Sequence, residues 1–99
     1  MSEDTVRIAR HFEVLASPMR VAILQFLLED DAGWNELKMK LEKAGFGRVN
    51  PNTLAFHLTR LIEHGFVEKR GSPESPIYSL RIEKNKLERL LKGAKEVTG

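Results

Sequence analysis

At 99 residues the chain has the length of one domain, and its hydrophobic fraction of 41% is that of a globular protein rather than a disordered one. It has no cysteine, which excludes disulfides, thiolate metal sites and cysteine nucleophiles together. The net charge of +2 hides a division: residues 1–37 hold three basic and seven acidic side chains (net −4), and residues 38–99 hold thirteen basic and seven acidic (net +6). A basic half suits a polyanionic partner, with chance asymmetry in a highly charged surface as the plain alternative. The N-terminus, MSEDTVRIARHF, lacks an apolar core of signal-peptide length, and the longest apolar run, VAIL at 21–24, is far too short to cross a bilayer. The expected setting is soluble and cytoplasmic.

Residues 5–16 read as a first helix, with Ile8, Phe12 and Leu15 on one face and Val6 and Ala9 beside it. Ser17 can cap a second helix and Pro18 can occupy its first position. That helix, 18–29, carries Val21, Ile23, Leu24, Phe26, Leu27 and Leu28 and is apolar nearly all round, as a central buried helix is. A polar turn at 29–33 follows. Trp34 is expected as a brief strand or a lid on the core, with packing its usual role. Asn35 is expected to cap a third helix over 35–44, with Leu37, Leu41 and Ala44 on its stripe and Gly45 closing it. The connector GFGRVN, 45–50, is longer than a minimal helix–turn–helix turn.

The stretch NPNTLAFHLTRLIEHG, 50–65, is the clearest element. Asn50 is an N-cap by type, Pro51 suits the first position, His64 sits well near the negative end of the dipole, and Gly65 stops the helix. Leu54, Leu58 and Leu61 recur at helical spacing with Ile62 alongside. The opposite side collects Asn52, Thr53, Phe56, Thr59, Arg60 and Glu63. FVEKR, 66–70, and IYSLRI, 77–82, read as two strands joined by the loop GSPESP, 71–76. Residues 83–99 read as a charged last helix with a narrow stripe at Leu87, Leu90 and Leu91, weakened late by Gly93. The order helix, helix, helix, helix, hairpin, helix predicts a mainly α winged helix–turn–helix fold with a small β-hairpin, one domain over 1–99.

In this setting 51–64 is the recognition helix for the major groove, and the hairpin 66–82 is the wing on the backbone or minor groove. Asn52 can bond adenine bidentately, Thr53 and Thr59 can bond a base or a phosphate, and Arg60 can reach guanine or a phosphate. Phe56 suits either a thymine methyl or a protein-binding pocket. His57, at the edge of the face, is more readily a partly packed side chain, and Glu63 opposes close phosphate approach. Arg48 before the helix and Lys69, Arg70 and Arg81 in the wing suit phosphates. The alternative is a solvated helix face, or a winged-helix module that binds protein within a transcription or RNA-processing assembly. No Walker-type loop, GxGxxG, GxSxG or HExxH is present, so no enzyme and no cofactor is expected.

The segments ASPMRVAILQFLLE (16–29), WNELKMKL (34–41), LAFHLTRLIEHGFVEKR (54–70) and IYSL (77–80) resemble the ArsR-type winged-helix transcriptional regulators. The most specific piece is HL-x-x-L-x-x-x-G-[hydrophobic]-V, met by His57, Leu58, Leu61, Gly65, Phe66 and Val67. The resemblance implies sequence-specific binding to double-stranded DNA by a homodimer built from the first and last helices. Ile8, Phe12, Leu15, Leu87, Leu90 and Leu91 would supply that surface, unless both stripes only close over their own core. The metal-sensing patterns of the family are missing: the third helix has no cysteine, the last has no histidine, and His11, His57 and His64 are scattered. No metal site is expected, and the small-molecule effector is left open.

Overall fold

The computed structural model describes residues 10–98, with side-chain surroundings through Gly93. Helix α1 runs through 10–15; residues 5–9 of the expected first helix, including Val6, Ile8 and Ala9, lie outside the described residues. Then come α2 (Pro18–Glu29), β1 (Ala32–Gly33), α3 (Trp34–Leu41), α4 (Pro51–Glu63), β2 (Val67–Ser72), β3 (Ser75–Leu80) and α5 (Lys84–Thr98). The three strands form an antiparallel sheet in the order β1-β3-β2. This is the expected winged helix.

Helix α2 is the centre of the packing. Ser17 accepts the Arg20 N–H on its hydroxyl at 3.3 Å, Pro18 opens the helix, and Ile23, Leu24 and Leu27 are fully buried. It packs against α3, α4 and β3. Leu37 and Leu41 of α3, Leu54, Leu58 and Leu61 of α4, and Phe66, Val67 and Tyr78 of the wing complete the core around it. Burying each leucine of α4 contributes about 1.5–3 kcal/mol against leaving it in water.

Three local expectations are corrected. Helix α3 begins at Trp34 with Gly33 as its N-cap, so Asn35 sits inside the first turn; the Glu36 carboxylate accepts the Gly33 N–H instead. The regular helix ends at Leu41, and residues 42–46 wind as one wider π-type turn in which Gly45 takes φ +107°. Ala44 is therefore exposed and is no part of the buried stripe. The polar turn at 29–33 contains a two-residue strand, because Ala32 and Gly33 pair with Tyr78 and Ile77. Trp34 lies half-buried against the core at the start of α3, as a lid does, while the strand falls just before it.

The expected loop 71–76 is mostly strand. Gly71 pairs with Pro76 and Ser72 with Ser75, so only Pro73 and Glu74 turn the chain. Gly71 makes the tight hairpin feasible: its φ is +85°, and a Cβ there would lie 2.7 Å from the Ser75 carbonyl oxygen.

Two stability predictions follow from this packing. Leu58→Ala should lower the unfolding free energy by about 2–5 kcal/mol through the cavity it leaves. Gly71→Ala, strained and crowded by backbone, should lower it by about 1–3 kcal/mol. Urea titration followed by circular dichroism checks both; a loss below half a unit for Leu58→Ala would contradict its place in the core.

Candidate nucleic-acid interface

Helix α4 is held at both ends by its own sequence. Asn50 is extended (φ −70°, ψ 130°), and its side chain accepts the Asn52 N–H at 2.8 Å. At the far end Gly65 takes φ +79°; its N–H donates to Ile62 O at 3.0 Å, and the Phe66 N–H donates to Leu61 O at 2.9 Å. This is the Schellman pairing, and it turns Phe66 straight down into the core, where it is 1% exposed. The Arg81 N–H then donates to Phe66 O at 2.9 Å, tying the end of α4 to the base of the wing. The G-[hydrophobic]-V piece of the motif is thus a joint between α4 and the wing. At the start, Glu42 accepts the Val49 N–H at 2.9 Å, bracing the connector, and Val49 is buried.

With the inner stripe buried, Asn52, Thr53, Ala55, Phe56, Thr59 and Glu63 are exposed. Phe56 is 57% exposed, the most open large hydrophobic among the described residues. Its ring stands edge-on to His57 with centroids 5.5 Å apart.

Arg60 departs from expectation. It lies half-buried off the centre of the outer face, and its guanidinium pairs with Glu13 of α1 at 3.3 Å. His57 and Arg20 stand on the same side. His57 Nδ1 and Arg20 Nε are buried with no hydrogen-bond partner among the described residues. Burial, then the Arg20 charge, holds the His57 imidazole below its ordinary range. Burial, then the Arg60 charge, pulls Arg20 down, against a raising influence of Glu13. One edge of α4 is therefore a polar seam with α1 and α2, and Arg60 belongs to that seam.

In the wing, Arg70 is also engaged. Its guanidinium lies 2.8 Å from Asp31 and 3.8 Å from Glu68, fastening β2 to the segment before β1. Lys69, Arg81 and Arg48 are exposed and make no ion pair among the described residues, so they can meet phosphate. Glu13 and Asp31, which hold Arg60 and Arg70, had no local sequence signal. Among the described residues no group of three His, Asp or Glu side chains converges as metal ligands, and no helix is long and apolar enough to cross a membrane.

Of the residues expected at a dimer surface, Leu15 and Leu87 are 4% and 0% exposed and serve the chain's own core. Phe12, Leu90 and Leu91 pack against that core but remain half-buried. Ile8 lies outside the described residues.

No protein-family model matches the sequence, and no curated protein matches it either. Solved structures do. M. tuberculosis Rv0081 shares 28% identity over 99% of this chain and 91% of its own, with a TM-score of 0.74. HlyU from Vibrio cholerae shares 21% over 98% and 94%, at 0.73. A protein described as an ArsR family transcriptional regulator shares 20% over 98% and 95%, at 0.68. The fold is that of the ArsR-type winged-helix regulators.

The seam at His57 gives a pH prediction. The unfolded chain binds the histidine proton more readily than the folded one, so stability should fall as pH drops through about 6.5, the ordinary histidine value, and be fully present above it. Urea midpoints measured at about pH 7.5 and about pH 5.5 should differ more in the wild type than in His57→Gln. Equal differences in the two proteins would refute the buried, neutral His57.

Proposed function

We propose that this chain is a sequence-specific double-stranded DNA-binding transcriptional regulator acting as a homodimer of one winged-helix domain. Helix α4 enters the major groove, and the wing touches the backbone or minor groove. The observation that carries this reading is a helix seated by a fully buried leucine stripe whose opposite face is open and rich in hydrogen-bonding groups. Arg48, Lys69 and Arg81, exposed and without an ion pair among the described residues, add phosphate contacts. Asn52, Thr53, Phe56 and Thr59 face the bases. Arg60 and Arg70 contribute only if phosphate displaces Glu13 and Asp31, an exchange within reach because exposed pairs are worth about 0.2–1 kcal/mol. The half-buried Phe12, Leu90 and Leu91 supply the remaining apolar surface for the second protomer.

The exposed Phe56 ring supports a second reading, a winged-helix module that binds protein. Salt separates the two. Fluorescence anisotropy on duplex DNA should show binding that weakens by orders of magnitude between about 50 and 200 mM salt. Asn52→Ala should weaken it further without unfolding the chain. No binding at the lower salt would sink the DNA reading.

A further inference from the structure

The open face of α4 carries no cation. Residues 51–63 contain one arginine and no lysine, and that arginine is turned aside to Glu13. The commonest specific contact in a major groove, Arg or Lys clamped on guanine O6 and N7, therefore has no donor on this face while Arg60 is paired with Glu13. The groups that remain have a narrow chemistry. The Asn52 amide matches adenine N6 and N7, the threonine hydroxyls accept several bases, and Ala55 and Phe56 match the thymine C5 methyl.

Phe56 is more than a stray apolar side chain. It sits mid-face, and its ring is set edge-on against the half-buried His57, whose Nδ1 is buried. The other exposed large hydrophobics, Met39 and Ile77, lie on α3 and β3, not on this helix. A protein-docking face presents a contiguous apolar patch, whereas here a single ring is framed by Asn52, Thr53, Thr59 and Glu63. In a groove of hydrogen-bonding edges, one isolated apolar ring finds its complement in a methyl group.

Resting on the DNA-binding reading above, we infer that α4 selects an A·T core in each half-site, with Phe56 against a thymine methyl and Asn52 on an adenine. The two side chains are one helical turn apart, about 6 Å along the axis. The adenine and the thymine therefore fall within the same half-site.

Duplexes selected by the wild-type chain from a random pool should share A·T pairs at the helix-facing positions. Deoxyuridine, placed at each of those thymines in turn, removes only the 5-methyl group. At one position it should weaken binding by about fourfold, the worth of one buried methyl. In Phe56→Ala, whose fold is spared because the ring is exposed, thymine and deoxyuridine duplexes should bind alike; Phe56→Leu should keep part of the preference. Binding by the wild type that is indifferent to deoxyuridine at every helix-facing position overturns this inference alone, as does a guanine-anchored half-site unchanged by Phe56→Ala. A wild-type chain that binds no duplex at low salt overturns the DNA-binding reading and this one together.

Discussion

Everything distinctive in this structure depends on the seating of α4 in the core. Leu54, Leu58 and Leu61 are at most 2% exposed, and the chain turns at Gly65 so that Phe66 follows them inward. Sliding or rotating a helix so anchored is costly, because a register shift would lift apolar surface worth several times about 1.5 kcal/mol into water. Its outer face is therefore fixed by what its inner face buries. The hydrogen bond from Arg81 to Phe66 extends the same constraint to the wing. Helix α4 and the wing are joined directly by a Schellman turn, and α4 also packs against β2.

Rotation about the helix axis has a second determinant, the seam at His57 and Arg60. Two arginines and a histidine meet there, and the carboxylate of Glu13 pairs with one of the arginines. The exposed Arg60–Glu13 pair adds little stability by itself. Its effect is on composition: it withdraws the helix's only arginine from the open face and leaves a surface of amide, hydroxyl and ring. Arg70 in the wing repeats the arrangement with Asp31. Both arginines lie in the basic part of the chain, and both are answered by carboxylates from the acidic part. The charge division along the sequence is thus partly cancelled across the fold.

Helix α4 and its caps were legible in the sequence because the signals are local: a leucine period, an asparagine and proline at one end, a glycine at the other. The helix–hairpin order was legible for the same reason. The misses share a physical cause. Arg60 reads as an outward cation from spacing alone, but its partner is 47 residues away; the partner of Arg70 is 39 away. A two-residue strand at Ala32–Gly33 has no period to detect and exists only because β3 offers an edge. Gly, Pro and Ser in 71–76 read as loop, whereas Gly71 serves there to let two strands continue almost to the tip. Leu15 and Leu87 read as surface stripe because a sequence shows that a helix has an apolar face, not whether its own chain or another covers it.

That last distinction bears on how two protomers would meet. Had Leu15 and Leu87 been exposed, the first and last helices would offer a wide apolar face that could drive association unaided. Their burial leaves Phe12, Leu90 and Leu91, each already partly covered, as the apolar remainder among the described residues. Obligate dimers bury interfaces resembling a core cut in half; toward such a surface the described residues of the first and last helices offer these three half-buried side chains. Under the proposed function, duplex DNA holding two protomers on adjacent half-sites would convert their meeting into an intramolecular step at high effective concentration.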